Sequence, residues 1–146
     1  MTCYAHTAPV EKDWDSSRCL YAHSLSERPT ADWQLLEDHT SAVARMARRF
    51  ADSFASGDWA YDAGLLHDLG KARKSFQDYL RFCNGLTDAD YDASDRTHSG
   101  AGAVWATGAF AEGKVGRIFA YLIAGHHAGL PDWIGGMTPQ GALGYR

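Results

Sequence analysis

The sequence predicts an all-α domain, a helical bundle around one hydrophobic core. Two observations predict it. From Asp32 onward, apolar residues recur at spacings of three and four, in stretches separated by glycine, aspartate and asparagine. Histidines, single or paired, fall near the ends of those stretches about thirty residues apart, the interval of one helix plus a connection in an antiparallel helical array. A chain of 146 residues is one domain by length. It divides into an irregular N-terminal segment over 1–30, a helical core over 31–133 and a glycine-rich tail over 134–146.

The first thirty residues contain Pro9, Pro29 and several polar breakers, with room for a short strand or turn. Cys3-x2-His6 and Cys19-x3-His23 have zinc-finger-like spacing, but their flanks lack the hydrophobic positions of a small zinc module. The first helix starts with Asp32 as N-cap and turns Leu35, Leu36, His39, Val43, Met46, Phe50 and Phe54 inward, leaving Arg45, Arg48, Arg49 and Asp52 outside. Gly57 breaks it, and Asp58 caps a second helix with Trp59, Ala63 and Leu66 inward and His67-Asp68 at its end. Gly70 is expected to close that helix in a left-handed conformation, turning Lys71 back toward the same pocket.

A third helix follows, with Phe76, Tyr79, Leu80 and Cys83 inward and Arg73, Lys74, Gln77 and Asp78 outward. The acidic loop after it contains Asp88-x-Asp90-x-Asp92, but Ala93 and Ser99 stand where a calcium loop needs glycine and glutamate. Thr97 caps a fourth helix that starts at His98 and runs past Trp105. A fifth helix after Gly113 carries Val115, Ile118, Phe119, Leu122, Ile123 and His126 on one face, until His126-His127 close it and Gly129 and Pro131 stop it.

Composition narrows the function. With 45% apolar and 22% charged residues this is the profile of a soluble globular chain. No apolar run approaches the roughly 20 residues that span a bilayer, and no basic-then-apolar leader opens the chain, so a cytoplasmic location without a membrane partner is expected. Cys3, Cys19 and Cys83 are odd in number and widely separated, which fits reduced thiols. A net charge of -4 excludes a whole-surface nucleic-acid field, leaving bound metal or a local basic cluster such as Lys71, Arg73 and Lys74 to draw a polyanion.

His39, His67 with Asp68, His98, and His126 with His127 are the chemical candidates. Asp68 offers two oxygens to two cations while the imidazoles complete each set. Nitrogen-rich ligation favours Mn, Fe, Co, Ni or Zn over Mg or Ca, up to two ions per chain. Two metals bridged by a carboxylate acidify a shared water, hold a phosphate oxygen and stabilise the leaving oxygen, so a phosphoester is the natural substrate. No Walker loop, dinucleotide fingerprint or serine or cysteine nucleophile motif competes.

In this order His39, His67-Asp68-x-Gly70-Lys71, His98-Ser99-x-x-Gly102-Ala103 and His126-His127-x-Gly129-Leu130-Pro131 resemble the HD nuclease domain of the type I CRISPR-associated helicase-nuclease, within the HD phosphohydrolase superfamily. Tyr21-Ala22-His23-Ser24, upstream of Trp33, is similar to that family's opening motif, and the resemblance runs from about Tyr21 to Trp133. It implies an HD-type helical bundle, two divalent metals, and degradation of single-stranded DNA by a metal-activated water, in partnership with a CRISPR helicase domain and a guide-RNA surveillance complex. By position, His39 and His67 belong to one metal, His98, His126 and His127 to the other, and Asp68 bridges. Lys71 matches the lysine that steadies the scissile phosphate or the water, and His23 matches a position that is not usually a ligand.

The family's domain usually continues further and adds a distal aspartate on the His39 side. Asp132 lies too near the His-His turn to be its replacement, so a bundle shortened at the C-terminus, with a weaker His39-side metal and exposed core surface, is expected. The alternatives are an HD phosphohydrolase acting on nucleotides, and a catalytically reduced binding module.

Overall fold

The computed structural model describes residues 19–88, 96–110, 114–127 and 129. Its described elements are a two-stranded antiparallel ribbon, β1 (Tyr21–His23) with β2 (Gln34–Leu35), and five helices: α1 (Leu36–Ala51), α2 (Gly57–Leu66), α3 (Lys74–Cys83), α4 (Ser99–Ala109) and α5 (Val115–Gly125). The all-α expectation holds, with the ribbon as a small addition. Cys3, His6, the aspartates at 90 and 92, Ala93, Pro131, Asp132 and the tail 134–146 lie outside the described residues.

The ribbon corrects the first helix boundary. Tyr21 pairs with Leu35 and His23 with Gln34, and the Leu36 amide donates to the Leu20 carbonyl at 2.8 Å. Residues 34 and 35 are therefore extended, Asp32 sits in a short 3-10 turn, and α1 starts at Leu36 with no side-chain cap. Beneath the ribbon Cys19, Tyr21, Trp33, Phe76 and Leu80 form one buried cluster.

Helix faces are rotated from the expected ones wherever small residues allow closer packing. On α1 the buried positions are Leu36, Ala44 and Ala51, while Met46, Phe50 and Phe54 are exposed. The reason is the approach of α2: a Cβ on Gly64 would lie 2.6 Å from the Ala44 Cα, a separation that no bulky residue at the contact could permit. The same holds for α4 and α5, where Gly102, Ala103 and Ala106 meet Gly116, Phe119, Ala120 and Ile123 and leave Ile118 and Leu122 exposed. Ala63 and Leu66 of α2 pack on this second cluster as expected, and Trp59, although partly exposed, stacks on Phe119.

Three further expectations change. The break after α1 is made by a 3-10 turn over Asp52–Phe54 and by Ala55 at φ 56°, so Gly57 opens α2 behind Ser56 and Asp58 instead pairs with Arg48 at 2.7 Å. The N-cap of α4 is His98 itself, not Thr97. On α3, Cys83 is exposed and Gln77 is buried: its amide accepts from the Tyr21 N–H at 3.0 Å and donates to the carbonyls of Tyr21 and Lys71 at 2.9 and 2.7 Å. A polar side chain survives there because every backbone group it faces needs a partner.

Candidate metal centre

Asp68 stands where α2 ends, buried to 2% exposure, and imidazoles from α1, α2, α4 and the end of α5 surround it. Its two oxygens face different partners. Oδ2 lies 3.0 Å from His39 Nε2, 3.2 Å from His67 Nε2 and 3.0 Å from Lys71 Nζ. Oδ1 lies 3.3 Å from His98 Nε2 and 3.6 Å from His126 Nε2, and makes no hydrogen bond although it is buried. Within the His39-His67-Asp68 group, and within the Asp68-His98-His126-His127 group, the donor atoms lie within 4.8 Å of one another. All six residues singled out from the sequence are thus brought together.

The ring orientations give that cluster its chemistry. His67 Nδ1 donates to the Gly64 carbonyl at 2.8 Å, His98 Nδ1 to that of Arg96 at 2.9 Å, and His126 Nδ1 to that of Ile123 at 2.6 Å. A ring whose Nδ1 carries the proton presents a bare lone pair at Nε2, which is how a ligating histidine is oriented. Nε2 atoms then meet each other at 3.3 Å between His39 and His67 and 2.7 Å between His98 and His127, beside a carboxylate. Lone pairs at those separations repel unless a proton or a cation stands among them.

Electrostatics agree. Burial pushes the His39, His98 and His127 pKa values down, with neighbouring imidazoles adding to the effect, so these rings favour the neutral, ligating form. His67 differs: burial opposes its charge, but hydrogen bonds to Asp68 and Gly64 and the carboxylate's field outweigh it and raise the pKa, so this ring carries a second proton, at Nε2 toward Asp68, whose place a bound cation would take. For Asp68, burial alone would raise the pKa, yet hydrogen bonds from His67 and Lys71 and their charges hold it well below the usual carboxylate range. The acid is ionised, and the orphaned Oδ1 with convergent Nε2 lone pairs fits a divalent cation.

Gly70 does bring Lys71 back to Asp68, but not by the expected left-handed cap. Residues Leu69–Ala72 form a 3-10 turn, and Gly70 is required for a different reason: a Cβ there would lie 2.2 Å from the His98 carbonyl oxygen. Absence of that Cβ lets the start of α4 press on the turn and sets His98 beside Asp68. Lys71 is buried, while the Arg73 guanidinium donates to the Thr97 carbonyl and Lys74 pairs with Asp78 on the exposed side of α3.

Two residues near the centre make contacts to Lys71 that the sequence did not foretell. His23 Nδ1 lies 2.8 Å from Gln34 Oε1 and donates to it, which leaves Nε2 to accept from Lys71 Nζ at 3.2 Å, and its ring meets His39 edge-on. Gln77 ties the Lys71 carbonyl to β1, so the ribbon carrying His23 and the turn carrying Lys71 move together.

The family model described as Cas3, HD domain, matches residues 8–136. The chain belongs to the Cas3 HD-domain family. No curated protein and no solved structure matched it. A Cas3 HD domain is a metal-dependent hydrolase of the nuclease and phosphohydrolase kind, set in a CRISPR system with DNA as substrate. HD domains bind divalent metals, and the His/Asp groups around Asp68 are suited to hold them. None of the described helices of this Cas3 HD domain is long and apolar enough to cross a membrane.

Proposed function

We propose that this Cas3 HD domain degrades single-stranded DNA in type I CRISPR interference, in the cytoplasm, acting with a helicase domain and a guide-RNA surveillance complex. The observation that carries the reading is the divided environment of the Asp68 carboxylate, Oδ2 toward His39 and His67, and unpartnered Oδ1 toward His98 and His126. In this reading His39, His67 and Asp68 hold one divalent transition metal, and Asp68, His98, His126 and His127 the other. When bound, such a pair supplies Lewis acidity at a phosphodiester and an acidified water. Among the described residues the first group has three protein donors and the second four.

The chain's own groups do the rest. Asp68 would contribute to both groups, the Nδ1 hydrogen bonds set the rings of His67, His98 and His126 with Nε2 toward it, and Lys71 Nζ sits at the Oδ2 edge, where it would orient a phosphate oxygen or the attacking water. Arg73 and Lys74 add positive charge along the strand's approach.

Reconstitution with Mn, Ni or Fe, a count of bound metal, and rates on labelled single-stranded DNA, duplex and free nucleotides test the reading. Metal-dependent cutting of the single strand is the expected result. Turnover of nucleotides with the DNA left intact would replace it with a small-molecule phosphohydrolase. Lys71→Ala should keep its metals and lose about a hundredfold in kcat, the usual cost of one positioned charge at the reacting group. His23→Ala should lower kcat about tenfold at unchanged metal content, because Nζ loses one of the partners that aim it. If metal is lost in proportion, His23 supports the ligands and not the lysine.

A further inference from the structure

A groove of about 620 Å³ runs along α4 away from His98, lined by Arg73, Thr97, Gly100, Ala101, Val104 and Trp105. Ala101 and Trp105 stand three and seven residues beyond His98, which puts them on the histidine's side of the helix. Trp105 is therefore about 10 Å along the axis at 1.5 Å per residue, a span of one or two nucleotides. It is 50% exposed, as is much of Val104. The bond from Arg73 to the Thr97 carbonyl holds the guanidinium at the groove, and among the described residues its other N–H groups meet no further acceptor.

Gly100 leaves the floor bare. A Cβ there would meet nothing within 4 Å, whereas one at Gly102 would strike the Leu66 carbonyl at 2.1 Å. Packing explains the second glycine but not the first, and glycine is the weakest helix former after proline. The fold tolerates this cost without using the space.

We infer that this groove receives a single strand of DNA beside its scissile phosphate, with Trp105 stacked on a base and Arg73 on a backbone phosphate. The inference rests on the nuclease reading and adds the strand's path. An aromatic face stacks on any unpaired base, and a planar guanidinium grips phosphate, a combination that serves a single strand and not a duplex whose bases already stack on each other. Thr97, which lines the groove, directly precedes His98 in the chain and so places one end of the groove next to the metal centre.

The test is fluorescence anisotropy of a labelled oligothymidine with the metal-free protein, so that binding is read without cleavage, in wild type, Trp105→Ala and Gly100→Leu. A strand abasic at one position and a duplex serve as controls. Trp105→Ala should weaken single-strand binding roughly tenfold. Gly100→Leu, with open space for its side chain, should fold normally and weaken it similarly by filling the groove. The abasic strand should bind wild type less well than the intact one, a difference that Trp105→Ala erases. Wild type that does not bind the strand, or equal affinity in all three proteins, overturns the proposal; in the second case the apolar face is left for a protein partner. Persisting metal-dependent cleavage in those variants would separate this failure from that of the nuclease reading, in which wild type cuts no single strand at all.

Discussion

Asp68→Asn should empty both metal positions and slow cleavage of single-stranded DNA by about a thousandfold or more. The substitution preserves shape and removes the charge that both histidine groups face, 3.0–3.2 Å away on the Oδ2 side and 3.3–3.6 Å on the Oδ1 side. Metal-assisted stabilisation of a phosphoester transition state is worth several kcal/mol, and each 1.36 kcal/mol is tenfold in rate. Metal content by elemental analysis and initial rates on labelled strand measure both halves. An Asp68→Asn protein that keeps two metals and cuts at the wild-type rate would mean that the centre lies elsewhere. Lys71, buried against the same carboxylate, loses its charge partner in this variant, so metal-free stability should fall as well.

Gly70→Ala should have the largest effect on the fold, a loss of about 3 kcal/mol and a fall in Tm of about 10 °C. The new methyl would stand 2.2 Å from the His98 carbonyl oxygen and 2.7 Å from its Cα, and these are backbone atoms that cannot rotate aside. Relief requires the start of α4 to back away from the Leu69–Ala72 turn, taking His98 from Asp68. Bound metal should accordingly fall toward one ion per chain, with the His39-His67-Asp68 group less affected than the group containing His98. Gly100→Ala is the matched control: nothing lies near its Cβ, and it should stabilise α4 by up to about 1 kcal/mol. A Gly70→Ala protein melting with the wild type would contradict the contact between turn and helix. Calorimetry and metal titration read the two variants side by side.

The convergence of the site was legible because imidazoles at the inward ends of apolar stripes are costly unless they share a purpose, and here they all reach one carboxylate. Helix faces were less legible. Met46, Phe50, Ile118 and Leu122 follow helical periodicity, yet contacts between helices are made by Ala44, Gly64, Gly102 and Ala120, since close backbone approach selects small residues and rotates the large ones outward. Gln77 lies about 60° past Leu80 on the wheel of α3, at the edge of the apolar arc, where its polarity points to solvent although the side chain is buried. His23 gave less warning, because β1 and β2 are three and two residues long, too short for alternation to reveal their pairing.

By itself the amino-acid sequence determined the class of fold, the family and the candidate donor residues, since these depend on residue chemistry and on spacing within single helices. Only the tertiary structure decided which oxygen of Asp68 each histidine faces, that His23 and Gln77 hold Lys71, and that Gly70 serves His98 instead of a helix cap. Those outcomes turn on separations of a few ångströms between elements distant in the chain. Backbone contacts set such separations, and no local pattern encodes them.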